Sequence, residues 1–165
     1  MITQTVLHTE INSPVGPLHL FAHEEGLTAL YMNVQRYEMP DGEEGSNSIL
    51  QQAKKELTEY FEGSRREFSV PLDPQGTEFR KSVWAELMNI PFGRTISYGE
   101  LAKRLGDPLL TRAVGTANGA NPISIIIPCH RVIGANGHLT GYGGGIERKR
   151  WLLDHEAEEI GRAHV

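Results

Sequence analysis

The stretch Ser97–Pro122, SYGELAKRLGDPLLTRAVGTANGANP, decides how the second half of the chain folds. Ser97 and Glu100 stand at the spacing of a capping box, so a short helix is expected to start at Ser97. Gly106 ends it. Asp107-Pro108 is a second start signal, a capping acid followed by proline at the first helical position. The next helix is predicted from Leu109 to Gly119, stopping before Pro122 because the residue preceding a proline disfavours the α region. Two short helices around a glycine turn form a helix-turn-helix pattern, which any αα-hairpin also gives. On the second helix Leu110, Ala113, Val114 and Ala117 line one apolar stripe. Arg112, Gly115 and Gly119 lie on another face. A glycine inside a helix costs about 1 kcal/mol relative to alanine. Two on one face mean that something approaches the backbone closely. A neighbouring helix would do this, and so would a groove with phosphates that Arg112 could reach.

Downstream, Ile125–Val132 reads IIIPCHRV and holds the only cysteine. The run before it, PISIIIP, is predicted to be a short buried strand, which would place Cys129 at the end of a rigid element. A thiol has a pKa of about 8.5, so little is thiolate at neutral pH, and burial lowers that fraction further. A buried nucleophile therefore needs a base, and His130 is next in sequence. Adjacent residues of an extended chain point to opposite sides, so a bridging water fits better than direct contact. The simpler reading of the dipeptide is a packed thiol beside a surface histidine. The glycines at 141, 143, 144 and 145 surround Tyr142 and could present backbone N–H groups to a ligand oxygen, or form a turn. A helix then carries Lys149 and Trp151, with His155 and Glu156 expected at its end. Glu156 is either a surface carboxylate or the group that orients His130.

Upstream, TEFRKSVWAELMN has Phe79, Val83, Trp84, Leu87 and Met88 on one helical face, with Thr77 as N-cap. VPLDPQG is the best linker. It divides the chain into a first domain, 1–73, and a second, 74–165. In the first, TQTVLHTEI, GPLHLFAHE and GLTALYMN read as a β-meander broken by turn residues. YEMPDGEEGSN reads as a loop, and SNSILQQAKKELTEYFEG as a helix ended by Gly63.

The 165 residues are 39% hydrophobic and 22% charged, as in globular proteins. The opening MITQTVLHTE carries no secretory signal, and the apolar runs are too short to span a membrane. One cysteine can make neither an internal disulfide nor a cysteine zinc cluster, which suits a reducing cytoplasm. The net charge of −5 is uneven. From Phe92 to Trp151 there are eight basic and three acidic residues, a net of +5, so the rest carries −10. A basic half on an acidic chain suits a local polyanion site, although ordinary scatter would look the same.

NPISIIIPCHRVIG, with ISYGELA, TRAVGTANGANP and GYGGG…KRWLLDHE in order, resembles the O6-alkylguanine-DNA alkyltransferase family, of the bacterial, non-regulatory type. The resemblance is strong from about Thr77 to Glu156 and general upstream. It implies an α+β fold. The N-terminal domain would be an antiparallel sheet plus helix, ribonuclease H-like. The C-terminal domain would be mostly helical, with a winged-helix-like helix-turn-helix. It implies direct-reversal repair of O6-alkylguanine, and of O4-alkylthymine, in double-stranded DNA. The base is flipped out and the alkyl group passes irreversibly to Cys129, once per molecule.

By the same resemblance His130 would take the thiol proton through a water and Glu156 would orient its ring. Asn121 would brace the turn, and Tyr98 would assist the departing guanine. Arg112 would enter the duplex from the minor groove. Ser97, Thr111, Gly115, Thr116, Asn118, Gly119 and Arg131 would contact DNA. Val132, Tyr142, Gly143 and Lys149 would form the pocket, with Gly143 in place of a serine that some relatives carry. The resemblance implies a monomer, with cooperative binding on DNA left open. No cofactor and no metal are expected. A lesion-binding relative would lack the acceptor cysteine. A helix-turn-helix regulator would read the major groove with longer side chains. A thiol hydrolase would need an oxyanion hole that nothing here marks.

Overall fold

The computed structural model describes residues 5–32, 40–139, 142 and 145–162. The chain divides into two compact units, Met1–Gln75 and Gly76–Val165.

In the first unit β1 (Leu7–Ile11), β2 (Leu18–Ala22) and β3 (Leu27–Tyr31) form the expected antiparallel meander. The acidic stretch expected to be a loop adds a strand. β4 (Glu43–Glu44) runs parallel to β1 and gives the order β3-β2-β1-β4. Its backbone holds it, with Glu43 N donating to Val6 O and Gly45 N to His8 O. Pairing of this kind needs no apolar pattern, which is why the sequence did not show it. α1 (Ser48–Glu62) starts at Asn47, whose side chain accepts from Leu50 N, and ends at Gly63 with φ of 87°. It buries Leu50, Ala53, Leu57 and Tyr60, while the sheet buries Leu18, Leu20, Leu27 and Leu30. The stretch before the division belongs to this unit. Leu27 N donates to Pro71 O, Asp73 N to Leu27 O, and the His23 ring meets Asp73 at 2.7 Å.

The second unit is mostly helical. α2 (Glu78–Leu87) is capped by Thr77, which accepts from Arg80 N. Val83, Trp84 and Leu87 are buried, but Phe79 and Met88 are exposed, so the apolar face is narrower than its pattern suggested. β5 (Ile96–Ser97) leads into α3 (Tyr98–Arg104), whose N-cap is Ser97. Asp107 caps a 3-10 turn over Pro108–Leu110, and α4 (Thr111–Gly119) continues from it. The two helices form the expected helix-turn-helix. The stripe on α4 differs from expectation. Val114, Ala117 and Asn118 are buried, whereas Ala113 is exposed.

The predicted strand through PISIIIP does not form. Ile126 N donates to Ser124 O at 2.8 Å across Ile125, whose φ is 72°. That is a γ-turn in the left-handed region, which a β-branched residue adopts only under strain. A second γ-turn, of the relaxed hand, follows at Pro128, with φ −81°, ψ 63° and Cys129 N on Ile127 O at 2.8 Å. A 3-10 turn over Cys129–Arg131 leads into β6 (Val132–Ile133), parallel to β5. α5 (Ile146–Arg162) then runs well beyond the expected end, so Glu156 lies inside the helix.

Candidate active site

The site is built on the turn that ends in Cys129. Asn121 holds that turn at two points. Its Nδ2 donates to Ile127 O at 2.8 Å and its Oδ1 accepts from Ile123 N at 3.0 Å. Asn118 Nδ2 donates to Cys129 O at 3.3 Å. Asn118 was expected on a DNA-facing surface. It is 3% exposed, because α4 turns it inward toward the cysteine. Trp84 Nε1 donates to Ala117 O at 2.9 Å and fixes α4 from the α2 side.

Cys129 is 5% exposed. Burial pushes its thiol up to about 11, while the Asn121 amide and the Lys149 charge work in the other direction. His130 is fully buried, and its Nε2 lies 2.7 Å from Glu156 Oε2. Successive side chains of a 3-10 turn diverge by about 120°, so Cys129 and His130 point apart although the chain is not extended. His130 Nδ1 is buried and has no hydrogen-bond partner among the described residues. Burial lowers the histidine pKa, and the Arg131 and Lys149 charges lower it further against the pull of Glu156. The ring is therefore neutral at neutral pH, the form that can accept a proton.

Arg131 was also expected to contact DNA. It is buried instead. Its Nε donates to Glu156 Oε1 at 2.8 Å, one terminal nitrogen to Glu156 Oε2 at 3.1 Å, and the other to Ile90 O at 2.7 Å. Its guanidinium stacks on the Phe92 ring at 5.7 Å. Burial alone would raise the Glu156 pKa, but the bonds from His130 and the Arg131 fork hold it well below the usual carboxylate range. Gly93 N adds a further bond to Oε1 at 3.3 Å. Gly93 has φ of 80°, and a Cβ there would lie 2.4 Å from Ile160 Cγ1, so α5 can approach only a glycine. Lys149, fully buried, donates Nζ to Val132 O at 2.7 Å. Burial lowers its pKa and the nearby Cys129 raises it. Lys149, Arg131 and Glu156 together leave a formal +1 in the buried site, which a thiolate would neutralise.

Most of the remaining expected residues fall on the surface of the same unit, although Val132 is fully buried. Thr111, Arg112, Thr116 and Gly119 are exposed on α4. The threonine hydroxyls bond to nearby backbone, Thr111 to Pro108 O in the preceding turn and Thr116 to Arg112 O in its own helix. Tyr98 is half-buried at the start of α3, and a Cβ at Gly115 would meet its ring at 3.6 Å, an ordinary contact. Packing does not require a glycine there. Ser97 spends its hydroxyl on Glu100 N at 3.0 Å. Tyr142 is buried, while Gly141, Gly143 and Gly144 lie outside the described residues. No group of three or more histidine, cysteine or acidic side chains among the described residues could hold a metal ion. None of their helices is long and apolar enough to cross a membrane.

This is a two-unit protein with a buried thiol, a neutral imidazole and an ionised carboxylate in one helical unit. Residues 78–158 match the family model described as 6-O-methylguanine DNA methyltransferase, DNA binding domain. Residues 6–74 match that of its ribonuclease-like domain. The chain is 53% identical over 152 residues to the methylated-DNA–protein-cysteine methyltransferase of Mycobacterium tuberculosis, covering 88% of this chain and 89% of that protein. It is 49% identical over 148 residues to the enzyme of the same name from Methanosarcina acetivorans, covering 87% and 94%. A crystal structure of the Mycobacterium tuberculosis OGT in complex with DNA superimposes with a TM-score of 0.85 at 50% identity, covering 93% of this chain and 94% of that one. The chain belongs to the 6-O-methylguanine DNA methyltransferase family, DNA repair enzymes that transfer a methyl group from DNA to a protein cysteine.

Proposed function

We propose that this protein repairs O6-alkylguanine, and O4-alkylthymine, in double-stranded DNA by moving the alkyl group to Cys129. The observation that carries this reading is the buried Cys129, with His130 bonded to Glu156 at 2.7 Å, on the unit that presents Arg112 on α4. The target atom lies inside a stacked base, so the nucleotide must turn out of the duplex, at a cost of a few kcal/mol. α4 lies in the minor groove, where the small Gly115 and Gly119 admit the backbone. Arg112 fills the space that the base vacates.

The thiol proton passes through a water to His130 Nδ1. The resulting imidazolium is steadied by Glu156, and the thiolate by the net positive charge of the buried site. Sulfur then attacks the O6-alkyl carbon. A C–S bond forms as the C–O bond breaks, and the guanine oxygen leaves with assistance from the Tyr98 hydroxyl. The product is a thioether with no easy leaving group, so each molecule acts once. A buried thiol of this kind calls for a reducing cytoplasm. The protein acts as a monomer, needing no cofactor. A lesion-binding or regulatory protein would have no use for a buried thiol beside a neutral base.

With excess duplex carrying one O6-methylguanine, transfer stops at one methyl per protein molecule; continued turnover refutes the reading. Arg112→Ala slows repair of the duplex about 100-fold while reaction with the free base O6-benzylguanine changes little. Equal losses on both substrates refute the role given to Arg112.

A further inference from the structure

The proton path above uses Arg131 only for its share of the site's charge, yet the side chain is heavily bonded beside it. Both oxygens of Glu156 are forked by its guanidinium, at 2.8 and 3.1 Å. Its remaining terminal nitrogen is anchored on Ile90 O at 2.7 Å and its plane on Phe92. A buried guanidinium facing a buried carboxylate is retained at a large desolvation cost. Removing the charge would leave Glu156, 1% exposed, opposite a neutral imidazole.

The state of Glu156 decides where the proton of neutral His130 sits. An ionised carboxylate only accepts, so Nε2 must carry the hydrogen and Nδ1 must offer its lone pair. A protonated carboxyl would donate to Nε2 instead. The ring hydrogen would then move to Nδ1, the nitrogen that has no partner among the described residues. In that tautomer the ring could not take a proton at Nδ1.

We propose that Arg131 is a positioning residue for alkyl transfer: its fork keeps Glu156 ionised, and this fixes His130 in the tautomer with hydrogen on Nε2 and the base at Nδ1. The inference rests on Cys129 being the acceptor. Glu156 meets His130 and Arg131 from the turn after Pro128 and the Gly93 amide from the loop after α2. Cys129 meets Asn121 and Lys149. No second carboxylate is available among these groups to replace Glu156.

The test compares wild type, Arg131→Met and Arg131→Lys. It uses long-range 1H–15N spectra of the histidine ring and single-turnover rates with O6-benzylguanine over a pH series. Wild type shows hydrogen on Nε2. Arg131→Met moves hydrogen to Nδ1 and loses at least about 100-fold in rate at neutral pH. The lost rate returns as the pH rises, because Glu156 then ionises without help. Arg131→Lys keeps the charge, the tautomer and a rate within about tenfold of wild type. Hydrogen on Nδ1 in wild type overturns the proposal. So does an Arg131→Met protein that keeps Nε2–H, or one whose rate loss is the same at every pH. If Arg131→Met does not fold, the 13C shift of the Glu156 carboxyl in wild type decides. It stays ionised from pH 8 down to pH 5, and titration within that range overturns the proposal. A wild type whose Cys129 takes no alkyl group would refute the functional reading and leave the tautomer result standing.

Discussion

Glu56 in the first unit and Glu156 in the second are both buried carboxylates, 3% and 1% exposed. Their partners differ in kind. Glu56 accepts from Ser69 N, Ser69 Oγ, Val70 N and Gln52 Nε2, all neutral donors between 2.8 and 3.0 Å, while the Arg65 guanidinium stands off at 4.0 Å. Burial would raise its pKa, but those bonds together lower it. Glu156 instead faces an arginine fork and an imidazole. A carboxylate held chiefly by neutral dipoles staples α1 to residues 69–70. A carboxylate held by a fixed cation and a titratable ring can steady a proton as it arrives. The same side chain serves structure in one unit and chemistry in the other because of what it accepts from.

The comparison breaks if the two residues respond alike. Glu156→Ala lowers the single-turnover rate by about 100- to 10,000-fold. It also costs about 3–5 kcal/mol in urea melts, since Arg131 is left buried and unpaired. Glu56→Ala costs about 3 kcal/mol, for several buried donors left unmet. Its rate per folded molecule stays at the wild-type value. A rate loss in Glu56→Ala like that of Glu156→Ala would erase the distinction.

A pH series sharpens the same point. The Cys129 thiol is pushed up to about 11, so without a base its thiolate fraction rises tenfold per pH unit below that value. His130→Gln therefore shows a rate that climbs about tenfold per unit between about pH 7 and pH 9. Wild type, whose neutral imidazole does the work, is flat over the same range. A wild-type profile with the slope of the variant would remove His130 from the proton path.

Gly93→Ala strikes the loop that feeds an amide to Glu156. The positive φ and the 2.4 Å approach to Ile160 make it unfavourable twice over. Thermal melts should show a loss of about 2–4 kcal/mol. The smallest effect belongs to Gly115→Ala. A Cβ there meets only the Tyr98 ring at 3.6 Å, so the helix gains up to about 1 kcal/mol in melts. Duplex repair nevertheless falls severalfold, while reaction with O6-benzylguanine is unchanged. An undiminished duplex rate would mean that no groove approaches this backbone.

Much of this was legible in the sequence where a local signal exists. Thr77, Ser97 and Asp107 cap the elements that their spacing predicts, and Gly63 and Gly106 have the positive φ of chain stops. The helix-turn-helix and the meander follow from those signals. What could not be read depends on distant partners. PISIIIP has the composition of a strand, but Asn121 grips both ends of the run and folds it into turns through a strained Ile125. Arg131 and Asn118 are polar residues that the family resemblance put in contact with DNA, and no local pattern marks either as buried. The hint for Arg131 lay in arithmetic: a Glu156 buried to orient His130 needs a second cation, and the neighbouring arginine is the nearest in sequence. The β4 strand is two glutamates long and carries no pattern at all.

The central claim is that Cys129 is the acceptor. Peptide mass mapping after incubation with duplex DNA containing O6-methylguanine tests it most directly. The account predicts one methyl group on the peptide that contains Cys129, in every active molecule, and none on a Cys129→Ser protein. An unmodified Cys129 peptide from protein that has cleared the lesion, or a methyl group on any other residue, would contradict it.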